Sequence, residues 1–145
     1  MDYWDTSALL NLYVPEHDSA YFLDLIAETK EPLISSAIAT TEMLCALHHK
    51  ERKGDIKPGG AKALFRRFRA DCQMGRIALV PYGIDVAAEV EKLIDLGFGE
   101  SRNAMVRSLC LIHLASASIA KAKRLVATDR TVRELASRLR FELLP

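Results

Sequence analysis

Asp2-Tyr3-Trp4-Asp5-Thr6-Ser7-Ala8-Leu9-Leu10 opens the chain with two aromatics leading to an acid, then a pair of hydroxyls ahead of an apolar run. Tyr3 and Trp4 are strand formers, whereas Asp, Thr and Ser end strands or cap helices. Asp5 is therefore expected at the carboxyl end of a first strand. In open α/β sheets that edge forms a crevice where ligands bind, because the adjacent loops diverge there. The plainer reading is that Asp5 only caps the turn through Leu9 and Leu10. Two further acids in comparable places shift the balance towards a site.

Outward from this stretch, strand and helix patterns alternate. Asp18 or Ser19 is positioned to cap a helix with Phe22, Leu25 and Ile26 on one face, and Pro32 breaks it. Leu33 to Ile38 reads as a second strand. Thr40-Thr41 then caps a helix carrying Glu42 in its first turn, with Leu44 and Leu47 on its apolar side. Beyond the Gly54 to Gly60 connection, Ala61, Leu64, Phe65, Phe68 and Cys72 form the cleanest helical stripe, opposed by Lys62, Arg66 and Arg69. Ile77 to Val80 is a buried-type strand. Asp85 caps a helix with Val86, Val90 and Leu93 inward. Gly97-Phe98-Gly99 reads as a loop, followed by a long helix from about Asn103 to Ala122. Leu125 to Thr128 is a strand, and a helix from Thr131 to Leu139 and a strand from Phe141 to Leu144 close the pattern. Such alternation implies a parallel sheet covered on both faces, a three-layer α/β/α architecture.

The 145 residues suit one domain, 1–145, with 50% hydrophobic and 27% charged residues as in soluble globular proteins. No apolar run approaches a membrane span, and the first residues lack a signal-peptide pattern. Cys45, Cys72 and Cys110 have no metal-knuckle spacing. A cytoplasmic protein with reduced thiols is expected. The net charge of +1 conceals an asymmetry: nine Lys/Arg against three Asp/Glu lie between Lys50 and Arg76. That stretch, with Lys62, Arg66, Arg67 and Arg69, serves either an anionic partner such as RNA or simply a solvated helix face.

Asp5, Glu42 and Asp129 are all expected at one sheet edge. Carboxylates converging in a crevice repel one another unless a cation joins them. Hard oxygen ligands suit Mg²⁺ or Mn²⁺, which can activate water and stabilise charge on a phosphodiester. Thr6, Ser7 and Thr128 are placed to orient those carboxylates. Taken singly, each acid is better read as a cap or a surface residue; the combination is what favours a metal site.

Asp5-Thr6-Ser7-Ala8-Leu9, Thr41-Glu42, Leu109-Cys110-Leu111-Ile112-His113-Leu114-Ala115 and Ala127-Thr128-Asp129 resemble, in order and over nearly the whole chain, the blocks of the PIN domain family. The VapC-type toxins of bacterial toxin–antitoxin pairs are the most similar branch. The resemblance implies a five-stranded parallel sheet, a Mg²⁺- or Mn²⁺-dependent ribonuclease that cuts single-stranded or structured RNA, a homodimer and a partner antitoxin able to block the site. It maps the family's first, second and late acids onto Asp5, Glu42 and Asp129. The family's third acid falls on Cys110, and a thiol is a poor ligand for Mg²⁺. Glu100 offers an acid from a different backbone position. Cys110 and His113, at i and i+3, admit a softer ion such as Zn²⁺ or, more plainly, a buried thiol beside a structural histidine.

Other enzyme classes fit less well. Asp2 and Asp5 are three apart, so strand alternation sends them to opposite sides, unlike the acid pair of haloacid dehalogenase-like phosphatases. There is no glycine-rich phosphate loop and no Gly-x-Ser-x-Gly elbow. The competing reading is a catalytically degenerate PIN-like domain that binds RNA or a protein.

Overall fold

The computed structural model describes residues 1–98 and 107–145. Five strands, β1 (Asp2–Trp4), β2 (Leu33–Ser36), β3 (Ile77–Val80), β4 (Arg124–Val126) and β5 (Glu142–Leu144), form one parallel sheet in the order β3-β2-β1-β4-β5. Seven helices are present among the described residues: α1 (Thr6–Leu10), α2 (Ser19–Ala27), α3 (Ala39–Lys53), α4 (Gly60–Gln73), α5 (Ile84–Phe98), α6 (Ser108–Ile119) and α7 (Arg130–Arg138). None of the described helices is long and apolar enough to cross a membrane.

Side-chain alternation along the strands builds two cores, one on each sheet face. Trp4 and Val126 point into a core with Leu9, Phe22, Met43, Leu47 and Phe68, covered by α1 to α4. Tyr3 and Leu125 point the other way, into a core with Val86, Leu93, Leu111, Leu114 and Leu135 from α5, α6 and α7. This is the expected three-layer arrangement. Truncating any large side chain here, such as Phe68, costs about 3–5 kcal/mol in lost burial and cavity formation.

Most boundaries fall where propensity places them. Gly54, at φ 87°, closes α3 in the left-handed conformation that glycine adopts without strain, and Asp55 N–H bonds back to the Lys50 carbonyl. The third strand is Ile77–Val80 as expected. Two details differ. On α3 the inward stripe is Ala39, Met43 and Leu47, while Leu44 is exposed. These residues repeat at i, i+4, i+8, which turns Leu44 off the core face. Gly97 and Phe98, read as loop, continue α5, and the described part of the long helix is Ser108–Ile119. Gly99, Glu100 and residues 103–106 lie outside the described residues.

Candidate metal centre and cleft

Every strand of a parallel sheet points its carboxyl end at the same edge, so the residues following β1, β2 and β4 share one rim. Asp5 directly follows β1, and its backbone N–H bonds to the Val126 carbonyl of β4. With φ −69° and ψ 157° it also caps α1, accepting from Ser7 N–H at 3.1 Å. The capping reading and the site reading therefore describe one residue. Glu42 stands in the first turn of α3, and Asp129 caps α7 by accepting from Val132 N–H at 3.0 Å.

Asp5, Glu42 and Asp129 line one cleft of about 860 Å³, together with Thr6, Ser7, Cys110 and His113. Ser7 Oγ ties the rim together. It donates to Asp5 Oδ2 at 2.6 Å and accepts from the N–H groups of Thr128 at 3.0 Å and Asp129 at 3.2 Å. Thr6 Oγ1 donates to Glu42 Oε1 at 2.7 Å. Thr128 acts here through its backbone, and its exposed side chain is not part of the cleft lining.

His113 occupies the centre of this arrangement. It is 1% exposed, with Nε2 at 2.6 Å from Glu42 Oε1, 3.2 Å from Thr6 Oγ1 and 3.4 Å from Asp5 Oδ1. Its Nδ1 lies 2.7 Å from the hydroxyl of Tyr3, which is fully buried. Burial opposes the imidazolium, but the Glu42 hydrogen bond and the charges of Asp5 and Glu42 outweigh it and raise the His113 pKa. Burial likewise opposes the Glu42 carboxylate, yet His113 and Thr6 hold its pKa below the usual range. Burial, reinforced by Asp129 and Asp5, pushes the Cys110 thiol up to about 11, so it is neutral near pH 7.

Among the described residues no three His, Cys, Asp or Glu side chains converge into a ready-made ion cage. The donor chemistry nonetheless fits a hard divalent cation. Each carboxylate uses one oxygen for its internal bond, leaving Asp5 Oδ1, Glu42 Oε2 and Asp129 Oδ2 without a hydrogen-bond donor inside 3.3 Å among the described residues. Mg²⁺ retains several waters, so it tolerates such a sparse protein ligand set. The neutral Cys110 thiol does not belong to that set, and one soft thiol beside a histidine already paired to Glu42 is not a Zn²⁺ cage.

The remaining sequence candidates lie elsewhere. Glu100 is outside the described residues. Lys62, Arg66, Arg67 and Arg69 of α4 are absent from the cleft, and Arg67 lies over the Tyr13 ring at 5.8 Å, lining a different cavity near the amino ends of β2 and β3. Helix α4 presents its basic face away from the acids because its apolar stripe packs on the sheet. Asp2 sits at the far end of β1 in a bidentate pair with Arg124, at 2.8 and 2.6 Å. Sequence reasoning missed Tyr3 as the partner of His113, and Cys45, His48, His49, Arg52 and Arg107 as cleft residues. Continuing the helical spacing from Glu42 finds Cys45, His49 and Arg52.

Two solved structures share this fold over almost their full lengths. One is the VapC20 toxin of Mycobacterium tuberculosis, described as cleaving the sarcin–ricin loop, with 13% identity, 100% of both chains covered and a TM-score of 0.68. The other is VapBC2 of Rickettsia felis, solved on a DNA fragment from its promoter, with 14% identity, 99% and 98% coverage and a TM-score of 0.68. At such identities the likeness is one of fold. No curated protein matches the sequence significantly. The PIN domain model, however, matches residues 3–138, nearly the whole sequence. With that match joined to the β3-β2-β1-β4-β5 sheet and its acidic rim, the chain belongs to the PIN domain family.

Proposed function

We propose that this chain is a Mg²⁺- or Mn²⁺-dependent endoribonuclease of the toxin type, hydrolysing RNA phosphodiester bonds. One observation carries the reading: Asp5, Glu42 and Asp129, distant in sequence, line a single cleft at the carboxyl edge of a PIN-domain sheet. The fold shared with toxins of toxin–antitoxin systems supports it. A cognate antitoxin protein and a homodimer belong to the same proposal.

In this reading Asp5, Glu42 and Asp129 hold the cation. When bound, it supplies charge neutralisation at the phosphodiester and lowers the pKa of an attacking water. The chain's own groups do the positioning. Ser7 fixes Asp5 through both its N–H and its hydroxyl, and Thr6 fixes Glu42. His113 holds a proton at Nε2 against Glu42 Oε1 while Tyr3 anchors the opposite ring nitrogen. That proton partly balances two acids that otherwise repel each other.

Cleavage of a mixed-sequence RNA with and without Mn²⁺, comparing wild type with Asp5→Asn, tests the proposal. Metal-dependent cleavage that disappears in a folded Asp5→Asn variant is expected; cleavage that survives the substitution removes the assignment.

A second reading rests on Cys110. A neutral thiol where the family carries its third acid lowers the charge available to hold the ion. A degenerate domain that binds RNA or a protein without cutting follows from it. RNA binding with no cleavage at any Mn²⁺ concentration selects that reading.

A further inference from the structure

The cleft extends well past the acids. Glu42, Cys45, His49 and Arg52 follow one another on α3 at intervals of three, four and three residues, so they stand in one row along the helix. Every member of the row lines the cleft, and His48 stands beside it. At about 1.5 Å per residue, the row runs about 15 Å from Glu42 to Arg52. The other helical layer contributes Arg107 at the start of α6, with a guanidinium nitrogen 3.9 Å from Asp129 Oδ2.

The row is acidic at one end and basic at the other, and its basic end is unspent. Arg52 and His49 are exposed and have no hydrogen-bond or ion-pair partner among the described residues. Lys50, two residues before Arg52, is by contrast paired with Glu16. An arginine offers a planar fork that matches phosphate oxygens. Asp5, only 4% exposed, lies at the bottom of the cleft, where the stiff backbone of a duplex does not bend to reach. A single strand can be drawn down to it.

We propose that the α3 row is the track of a single RNA strand, with Arg52 holding a phosphate beyond the one presented to the acids and Arg107 flanking the strand from the opposite layer. About 15 Å corresponds to about four steps of a stacked strand at 3.4 Å each, and to fewer if the strand is extended. The imidazoles of His48 and His49 supply flat surfaces for the intervening bases. This proposal rests on the nuclease reading and adds the residues that guide the substrate strand.

The test is binding of a fluorescein-labelled eight-nucleotide single-stranded RNA to the full chain in EDTA, read by anisotropy over a range of salt concentrations. Arg52→Ala is expected to weaken binding roughly five- to tenfold at low salt and to reduce the slope of log K against log salt by about 0.7, one phosphate contact's worth. Arg52→Lys recovers most of the affinity, and Arg66→Ala/Arg69→Ala on α4 stays within about twofold. Unchanged affinity in Arg52→Ala, a larger loss from the α4 pair, or equal affinity for a duplex overturns the track. Failure of the track is separable from failure of the nuclease reading. Cleavage abolished by Asp5→Asn alongside unchanged RNA affinity in Arg52→Ala removes the track alone. Cleavage that persists in Asp5→Asn removes the nuclease reading beneath it.

Discussion

Replacing His113 with alanine perturbs the centre of the site most sharply, and the cost follows from its contacts. The Tyr3 hydroxyl, fully buried, loses the partner it holds at 2.7 Å, at about 1–3 kcal/mol for an unsatisfied buried group. Glu42 loses its 2.6 Å partner but remains 26% exposed, so solvent screens that loss to about 1 kcal/mol. The cavity left by a buried imidazole adds about 1–2 kcal/mol. The sum is about 3–6 kcal/mol, which for a chain of this size lowers Tm by about 10–20 °C in EDTA. Added Mn²⁺ then stabilises the variant by more than it stabilises wild type, because Glu42 and Asp5 have lost the proton that competes with the cation. Differential scanning fluorimetry with EDTA and with a Mn²⁺ series measures both quantities. A Tm drop below about 3 °C, or a Mn²⁺ gain no larger than in wild type, refutes the role given to His113.

Three further outcomes follow from the same network. With its pKa raised in the folded state, His113 contributes stability that is fully present below its unfolded value and lost as pH rises through the folded value. Glu42, with its pKa lowered, contributes stability that is lost as pH falls through its folded value. Metal-free Tm is therefore highest between the two, and His113→Gln flattens the alkaline limb; an identical limb in both proteins contradicts this. Cys110→Asp places a carboxylate where the thiol is neutral and is expected to raise Mn²⁺ affinity in a calorimetric titration, whereas unchanged affinity means that residue 110 does not serve the centre. Ser7→Ala removes the hydroxyl shared by Asp5 Oδ2 and the two N–H groups after β4, leaving Oδ2 only the N–H of residue 7, and costs about 1–3 kcal/mol by urea denaturation; a loss under 0.5 kcal/mol counts against the hub role.

Much of the fold was legible because its signals are local. Ile77 to Val80 is an uninterrupted apolar run between Gly75 and Pro81, and the observed β3 coincides with it. The stripe from Ala61 to Cys72 has a period that only a helix satisfies, and α4 packs that face inward. The rotation of α3 is not legible in the sequence, because Met43 and Leu44 are both apolar and only the packing partners choose between them. Asp5 and Asp129 were legible as acids following strand patterns. The Tyr3–His113–Glu42 chain was not, because it joins residues 110 and 71 positions apart through a contact that exists only after both sheet faces are covered. Arg52 was hidden for another reason: as one of nine basic residues in a single stretch, it is distinguished only by the direction it faces.

The central claim is that residues 5, 42 and 129 turn their open oxygens on one ion. A crystal structure of the Mn²⁺-soaked protein, with anomalous scattering at the manganese edge, measures this directly. The account predicts one strong peak in the cleft, with Asp5 Oδ1, Glu42 Oε2 and Asp129 Oδ2 each bound at about 2.1 Å or through one ordered water. A fully occupied Mn²⁺ site away from these three residues, or a cleft free of manganese at saturating concentration, contradicts it.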